Sequence, residues 1–290
     1  MQKDEKFQDW LFRYSFVYRT RRTKKNKQRF LSALFTDLYA IREDVNVVAY
    51  NYANYHSRNV YVGDIENADK IICTYYDTPL KHIGKYRFFD RKGQRNQTLF
   101  SLILGIVLLI SAGIIGTVIY MRSSRSDMAF FSTQTILFAC LFGIYFYFFG
   151  KTARGLSNKQ TAVRNTSSIL TMLKMIDRLE DPSIAYAFID EGCYGDEGLQ
   201  VIRDSAKKTC QFFFLDSVGA NAPLRYEGNY FSEKEDQTAN NKKGLPVNRI
   251  NYIYSARVDE QTHAYYLSKK DLKRKSMDLG HMEEILELFS

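Results

Sequence analysis

The chain has 290 residues, room for one sizeable domain or two small ones. Its 41 Lys+Arg against 32 Asp+Glu give a formal charge of +9, which favours anionic partners: a lipid leaflet, nucleic acid or an acidic protein. Most of the excess lies before residue 30 and beside two apolar segments, a distribution that favours a lipid bilayer over nucleic acid.

Residues 1–29 are charged and lack the apolar stretch of a signal peptide. Phe7, Trp10, Leu11, Tyr14 and Tyr18 recur there at helical spacing. Arg19–Arg29 then carries seven basic residues and no acid. Two readings are open: a basic amphipathic arm lying on an anionic leaflet, or a solvated basic helix or tail. Phe30–Tyr39 reads as a helix with Leu31, Leu34, Phe35 and Leu38 on one face. Strand-like runs follow at Val45–Tyr52, Asn59–Val62 and Lys70–Tyr75.

Asn96–Met121 and Met128–Gly150 are uncharged over 26 and 23 residues. Crossing a hydrocarbon core takes about 20. Buried core helices seldom reach such lengths without a polar face, so the expectation is a hairpin of two transmembrane helices, at about residues 97–121 and 128–150. A mean hydropathy of −0.34 fits two spans inside an otherwise soluble chain. Ten basic residues flank the outer ends of the pair, from Lys81 to Arg95 and from Lys151 to Arg164, against Arg122 and Arg125 in the connecting turn. By the positive-inside rule both termini are cytoplasmic. Ala112 with Gly116, and Ala139 with Gly143, are candidates for close helix approach.

Beyond the hairpin the pattern gives a helix at Val163–Leu179, a strand at Ile184–Ile189, a glycine-bearing turn and a helix near Leu199–Lys207. A strand at Gln211–Leu215, a polar loop or lid over 225–247, a strand at Ile250–Ala256 and a helix at Met277–Phe289 complete it. Strands alternating with helices imply an α/β fold with a mixed, mainly parallel sheet flanked by helices. Cys73, Cys140, Cys193 and Cys210 are widely spaced, which suits free thiols and offers no cysteine zinc site.

The chemistry-bearing segments are Thr74-Tyr75-Tyr76-Asp77-Thr78-Pro79, Arg164-Asn165-Thr166-Ser167-Ser168, Asp190-Glu191-Gly192-Cys193-Tyr194-Gly195, Leu215-Asp216-Ser217-Val218-Gly219 and Tyr266-Leu267-Ser268-Lys269-Lys270-Asp271. In this order they resemble the metal-site boxes of the M28 zinc aminopeptidases, over roughly residues 30–95 and 150–290. The resemblance implies two zinc ions at strand ends, held by histidine, aspartate and glutamate ligands, with a glutamate as general base. On that alignment Tyr75 stands for a ligand histidine and Asp77 is the retained aspartate that orients it. Arg164 stands for the bridging aspartate, Asp216 is a retained ligand, and Leu267 stands for the final histidine. Gly192 and Cys193 fall on the base and ligand positions; a register slipped by two would place Asp190 and Glu191 there instead.

A phenol, a guanidinium and an isobutyl group are poor zinc ligands, so the resemblance implies a relict site holding no metal and no other cofactor. His56, His82, His263 and His281 are scattered and form no ligand pair. No GxSxG elbow, Walker A loop or GxGxxG turn occurs. The expected organisation is a basic N-terminal arm (1–29), the first part of an M28-like domain (30–95), a transmembrane hairpin (96–150) and the rest of the domain (151–290). The expected function is that of a membrane-anchored, catalytically inactive peptidase-like protein that binds a peptide or a membrane-protein partner. The alternative is a divergent metal-dependent hydrolase using Asp216 with Asp190 and Glu191. For the relict site two readings are open: the Arg164 guanidinium fills the metal volume and pairs with Asp216, with Asp77 or Asp190 adding to it and the Tyr75 hydroxyl joining, or Arg164 is simply exposed at the helix start near the anionic membrane surface.

Overall fold

The computed structural model of the chain describes residues 3–52, 55–123, 133–231 and 250–290. Seven strands form one sheet in the order β1-β2-β5-β3-β6-β8-β7: Val45–Tyr52, Tyr55–Val62, Ile184–Ile189, Lys70–Tyr75, Gln211–Asp216, Ile250–Ser255 and Leu224–Glu227. The four inner strands β5, β3, β6 and β8 are mutually parallel, and β1, β2 and β7 run antiparallel to their neighbours. This is the mixed, mainly parallel α/β fold expected from the pattern.

Strand alternation sets the two faces. Ile72 of β3 joins the larger core, with Phe188, Phe213 and Ile253, while Ile71, Cys73 and Tyr75 join the other. The larger core is covered by α1 (Lys3–Phe12), α2 (Lys24–Tyr39), α5 (Ser167–Arg178) and α8 (Leu279–Leu288); the other is covered by α6 (Glu197–Ser205). Because helices lie on both faces, β5 is buried at all six positions and reads as an unbroken apolar run. From the central strand β3 the chain moves to β5 on one side and then to β6 on the other. Such a reversal opens a crevice beyond the carboxyl ends of the strands, where Tyr75, Ile189 and Asp216 end β3, β5 and β6.

Several elements differ from the sequence reading. β2 starts at Tyr55 rather than Asn59, because it pairs along the full length of β1. The stretch expected as a loop or lid begins with β7, an edge strand on β8, and the remainder from residue 232 lies outside the described residues. A second sheet of three short strands, β4 (Tyr86–Arg87), β9 (Arg257–Val258) and β10 (Tyr265–Leu267), had no detectable pattern because its strands span two or three residues.

The N-terminal aromatic stripe takes neither a leaflet-facing nor a solvated role. Trp10 and Tyr14 are buried in the larger core, where Phe30 meets Tyr14 edge-on and stacks on Tyr76. Lys6 pairs with Asp177 of α5 at 2.5 Å, and the Tyr14 hydroxyl donates to Asp37 of α2 at 2.5 Å. The physical reason is that α5 and the sheet leave an apolar face that α2 alone does not cover.

Two helices, α3 (Arg91–Ser123) and α4 (Thr133–Ala153), are long and apolar enough to cross a membrane, and none of their apolar stretch is buried within the protein. The turn between them lies outside the described residues. The helices meet where Gly113 faces Tyr145: the Tyr145 hydroxyl donates to the Leu109 carbonyl at 3.0 Å, and a Cβ on Gly113 would come within 2.6 Å of that hydroxyl. Ala112, Ala139 and Gly143 instead face outward, and nothing lies within 4 Å of the position a Gly143 Cβ would occupy. The helical phase carries Gly113 and Gly116, rather than Ala112, towards α4.

Candidate functional site

The crevice at the carboxyl ends of β3, β5 and β6 gathers most of the residues singled out from the sequence, in two clusters. The first surrounds Asp216. Its carboxylate accepts from the Tyr75 hydroxyl at 3.0 Å, from the Ser217 hydroxyl at 2.8 Å and from the Tyr86 hydroxyl. Arg164 approaches from the π-helical turn Ala162–Thr166 that leads into α5. Its Nε donates to the Tyr75 hydroxyl at 3.2 Å and its Nη2 to Gln94 Oε1 at 3.1 Å, while its guanidinium carbon lies 3.9 Å from the centre of the Tyr86 ring.

Arg164 therefore makes no direct ion pair with Asp216, contrary to expectation. The Tyr75 hydroxyl stands between them, accepting from the guanidinium and donating to the carboxylate. The Tyr75 side chain is long enough to occupy that space, so arginine is left to stack on the second phenol. Burial pushes the Asp216 carboxyl above its usual range, with Arg164 and the three hydroxyls pulling it back. Burial also opposes the Arg164 charge, but Tyr75, Tyr86, Cys193 and Asp216 together outweigh it and hold the guanidinium protonated.

The second cluster surrounds Asp77. Its Oδ1 accepts from the backbone N–H of Gly192 at 2.9 Å and of Cys193 at 3.2 Å. The Cys193 thiol donates to the Asp77 carbonyl at 3.2 Å, and the Asn165 amide donates to the same carbonyl at 2.9 Å. Gly192 has to be glycine here, since a Cβ would sit 2.2 Å from that of Tyr75. Asp190 and Glu191 turn the other way, and both pair with Lys27 of α2 at 2.6 Å. Asp77 is pushed up to about 7, first by burial and then by the neighbouring Asp190, with Lys27 opposing. Asp190 is raised by burial and held back by Lys27.

A third cation, Arg21, is fully buried beside this cluster. Its guanidinium donates to the carbonyls of Tyr76 at 2.6 Å and Tyr18 at 2.9 Å and to the Thr166 hydroxyl at 3.3 Å. Burial lowers Arg21 to about 10, with Cys193 and Asp77 opposing the shift. Arg21 and Lys27 both come from the basic run that the sequence reading assigned to a leaflet or to solvent. Their task is to supply positive charge among buried carboxylates.

Leu267, at the end of β10, lies at 0% exposure against Tyr86, Val163 and Tyr254, so the last box contributes apolar packing. Tyr86 and Gln94 belong to no box, and no sequence signal pointed to them. Ser217 and Asn165 lie within boxes but carried no role there. Two of the four described non-glycine residues with positive φ, Glu191 and Ser217 at 57°, directly follow Asp190 and Asp216 at the strand ends; the others are Phe89 and His263. Such strain concentrates at functional sites.

No known family and no curated protein matches the chain in sequence. Among solved structures it is similar to a Zn-dependent exopeptidase from Parabacteroides distasonis, at 11% identity and a TM-score of 0.51, covering 99% of this chain and 97% of that one. It is also similar to glutaminyl cyclases from Porphyromonas gingivalis (11% identity, TM-score 0.53) and Bacteroides thetaiotaomicron (12%, 0.51), each match covering 98% of this chain and 94% of the other. The chain has the fold of the zinc exopeptidases.

At such identity the likeness speaks for the fold alone, and the residues must decide whether a metal fits. In this exopeptidase fold they do not fit one. The retained Asp216 already accepts three O–H donors, and a guanidinium, a phenol and a leucine stand at three of the expected ligand positions. Among the described residues no three His, Cys, Asp or Glu side chains converge on a point. Every group that a cation would need as a donor is engaged by a hydroxyl, a backbone N–H or a lysine.

Proposed function

We propose that the protein is a membrane-anchored, non-catalytic member of the exopeptidase fold, in which the old metal crevice has become the joint between a transmembrane hairpin and a cytoplasmic domain. One observation carries this reading: Arg164 is held by Tyr75 on one side and by Gln94, a residue of α3, on the other. The first turns of α3 lie over the crevice. Gln94 is 4% exposed and also donates to the Arg87 carbonyl. Arg91 pairs with Asp196, and Thr98 meets the Tyr194 hydroxyl at 3.3 Å. The return from α4 is tied to the loop after β3, where Lys81 N–H donates to the Leu156 carbonyl at 2.7 Å and Asn158 N–H to the Pro79 carbonyl at 3.1 Å.

A crevice filled by its own side chains leaves no room for a peptide among Tyr75, Arg164 and Asp216, so a partner would meet the hairpin. Both termini lie on the cytoplasmic side in this reading, from the ten-to-two charge asymmetry. The test is zinc analysis and aminopeptidase assay of protein purified in detergent. Substoichiometric zinc and no turnover are expected, and stoichiometric zinc with peptide hydrolysis would restore the divergent-hydrolase reading. Impermeant thiol labelling in intact cells checks topology: Ser124→Cys should react and Ser157→Cys should not.

A further inference from the structure

Along α2 an open groove of about 480 Å³ is lined by Tyr18, Lys25, Gln28, Arg29, Ser32 and Thr36. Its lining holds two cations and no carboxylate. The nearby Asp37 is held by Arg13 and Tyr14. Among the described residues neither Lys25 nor Arg29 makes an ion pair, although Lys27 between them is committed to Asp190 and Glu191. The crevice thus accounts for Arg21 and Lys27 of the basic run but leaves Lys25 and Arg29 facing outward.

The position of the groove identifies what it faces. Just before α2, Arg22 donates to the carbonyls of Arg154 at 2.8 Å and Gly155 at 3.3 Å, at the cytoplasmic end of α4. The apolar run of α4 ends at Gly150. Arg154 is four residues further, about 6 Å at the helical rise. That distance is comparable to one headgroup layer, about 5–7 Å per leaflet. Lys25 lies in the first turn of α2, three residues from Arg22, so the end of the groove that carries Lys25 is the end tied to α4. Phe16 and Val17, immediately before Tyr18, are exposed at 48% and 49%, an apolar surface next to the basic one. Basic side chains beside exposed apolar ones are the composition of an interfacial contact.

We infer that this groove binds the phosphate headgroup of an anionic phospholipid from the same leaflet that the hairpin enters, with Lys25 and Arg29 as the charged contacts and Gln28, Ser32 and Thr36 as hydrogen-bonding ones. The inference rests on the membrane-anchored reading. A bound headgroup would fix the tilt of α2, and through Lys27 the loop that carries Asp190, relative to the bilayer.

The test uses full-length protein carrying Cys140→Ala and, outside the groove lining, Lys24→Cys with an environment-sensitive fluorophore; the other three cysteines are buried. It is reconstituted into nanodiscs of phosphatidylcholine alone or mixed with phosphatidylglycerol. The expected result is a blue shift that grows with the phosphatidylglycerol fraction and is weakened by salt. Lys25→Glu with Arg29→Glu should raise the fraction needed for half the shift by roughly ten-fold or more while leaving incorporation unchanged. Identical spectra in both discs, or no effect of charge reversal, would overturn the inference. The same shift produced by inorganic phosphate in phosphatidylcholine discs would overturn it in favour of a soluble anion. Failure to enter discs of either composition would instead overturn the anchoring, and the inference with it.

Discussion

The two clusters of the crevice solve one problem in different ways. Both hold carboxylates, and both are buried. Around Asp216 the balancing charge comes from within the domain, and it is relayed: Arg164 reaches the carboxylate only through the Tyr75 hydroxyl and the Tyr86 ring. Around Asp77 and Asp190 the charge is imported from the N-terminal segment, and Lys27 pairs directly at 2.6 Å. The difference teaches that buried carboxylates can be held by neutralising them with a cation or by saturating them with donors. This chain does one on each side. The first cluster also takes in Gln94 of α3, the first of the two long apolar helices.

The largest expected effect tests the relayed side. Arg164→Ala removes the guanidinium that reaches Asp216 through Tyr75 and should cost about 3–5 kcal/mol, the range for a buried charge left without its partner. Thermal or denaturant unfolding in detergent measures it. Arg164→Lys should rescue little, since an ammonium cannot hold Tyr75 and Gln94 together while stacking on Tyr86. A double-mutant cycle of Arg164→Ala and Asp216→Ala should show coupling of roughly 0.5–3 kcal/mol that disappears in a Tyr75→Phe background. Coupling that survives Tyr75→Phe would mean the charges act directly and the relay is wrong.

The imported side should be weaker. Lys27 keeps some contact with water, at 17% side-chain exposure against 2% for Asp190. Lys27→Met should therefore cost about 2–3 kcal/mol, typical of a charge-assisted hydrogen bond. Its coupling to Asp190→Asn should be indifferent to Tyr75→Phe. Should Tyr75→Phe change that coupling as well, the two clusters form one network and the contrast between them fails.

Gln94→Ala removes one neutral acceptor from a charged donor and should cost about 1.5–3 kcal/mol. Amide exchange should rise in residues 91–98 but not in α6, because the lost contact is the one between α3 and the crevice. Equal protection of residues 91–98 in wild type and Gln94→Ala would separate the joint from the Arg164 cluster.

Taken per pH unit, the smallest effect is in pH dependence. Asp77 titrates at about 7 in the folded protein and near 3.9 when unfolded. The folded state therefore binds the proton more tightly. Between about pH 7 and pH 4 acidification stabilises it, with a limiting slope of about 1.4 kcal/mol per unit for one proton. The contribution is fully present below the unfolded value and is lost as pH rises through 7. Wild type should thus gain on Asp77→Asn as the pH falls through this window, read as the difference between their melting temperatures. A constant difference would place Asp77 among carboxylates ionised throughout. Asp271, held below its usual range by Arg257 and Ser268, runs with the opposite sign in both proteins and cancels.

Much of the fold was legible in the residues. The inner strands follow from apolar runs, and the two membrane-length helices from uncharged stretches, because burial on both faces and immersion in lipid each demand an unbroken apolar sequence. The short strands β4, β9 and β10 were not legible, since two or three residues carry no period. In the crevice, the boxes located Tyr75, Asp77, Arg164, Asp190, Cys193 and Asp216, because they lie at or just beyond the ends of apolar strand and helix runs that the pattern shows. Tyr86 and Gln94 were invisible, lying in the stretch between the first box and the membrane segment, where no motif constrains them.

The sequence by itself determined the α/β sheet, the pair of long apolar helices and the replacement of metal-ligand types at three of the positions that the zinc-peptidase resemblance assigns. Those are properties of residue type and order. Only the tertiary structure decided that Arg164 reaches Asp216 through Tyr75, that Arg21 and Lys27 leave the basic run to sit among carboxylates, and that Trp10 and Tyr14 close the core rather than face a leaflet. Each depends on which long side chain reaches a given volume first. A phenol, a guanidinium and an ammonium span similar distances, so composition and spacing cannot rank them, and the packing around β3, β5 and β6 does.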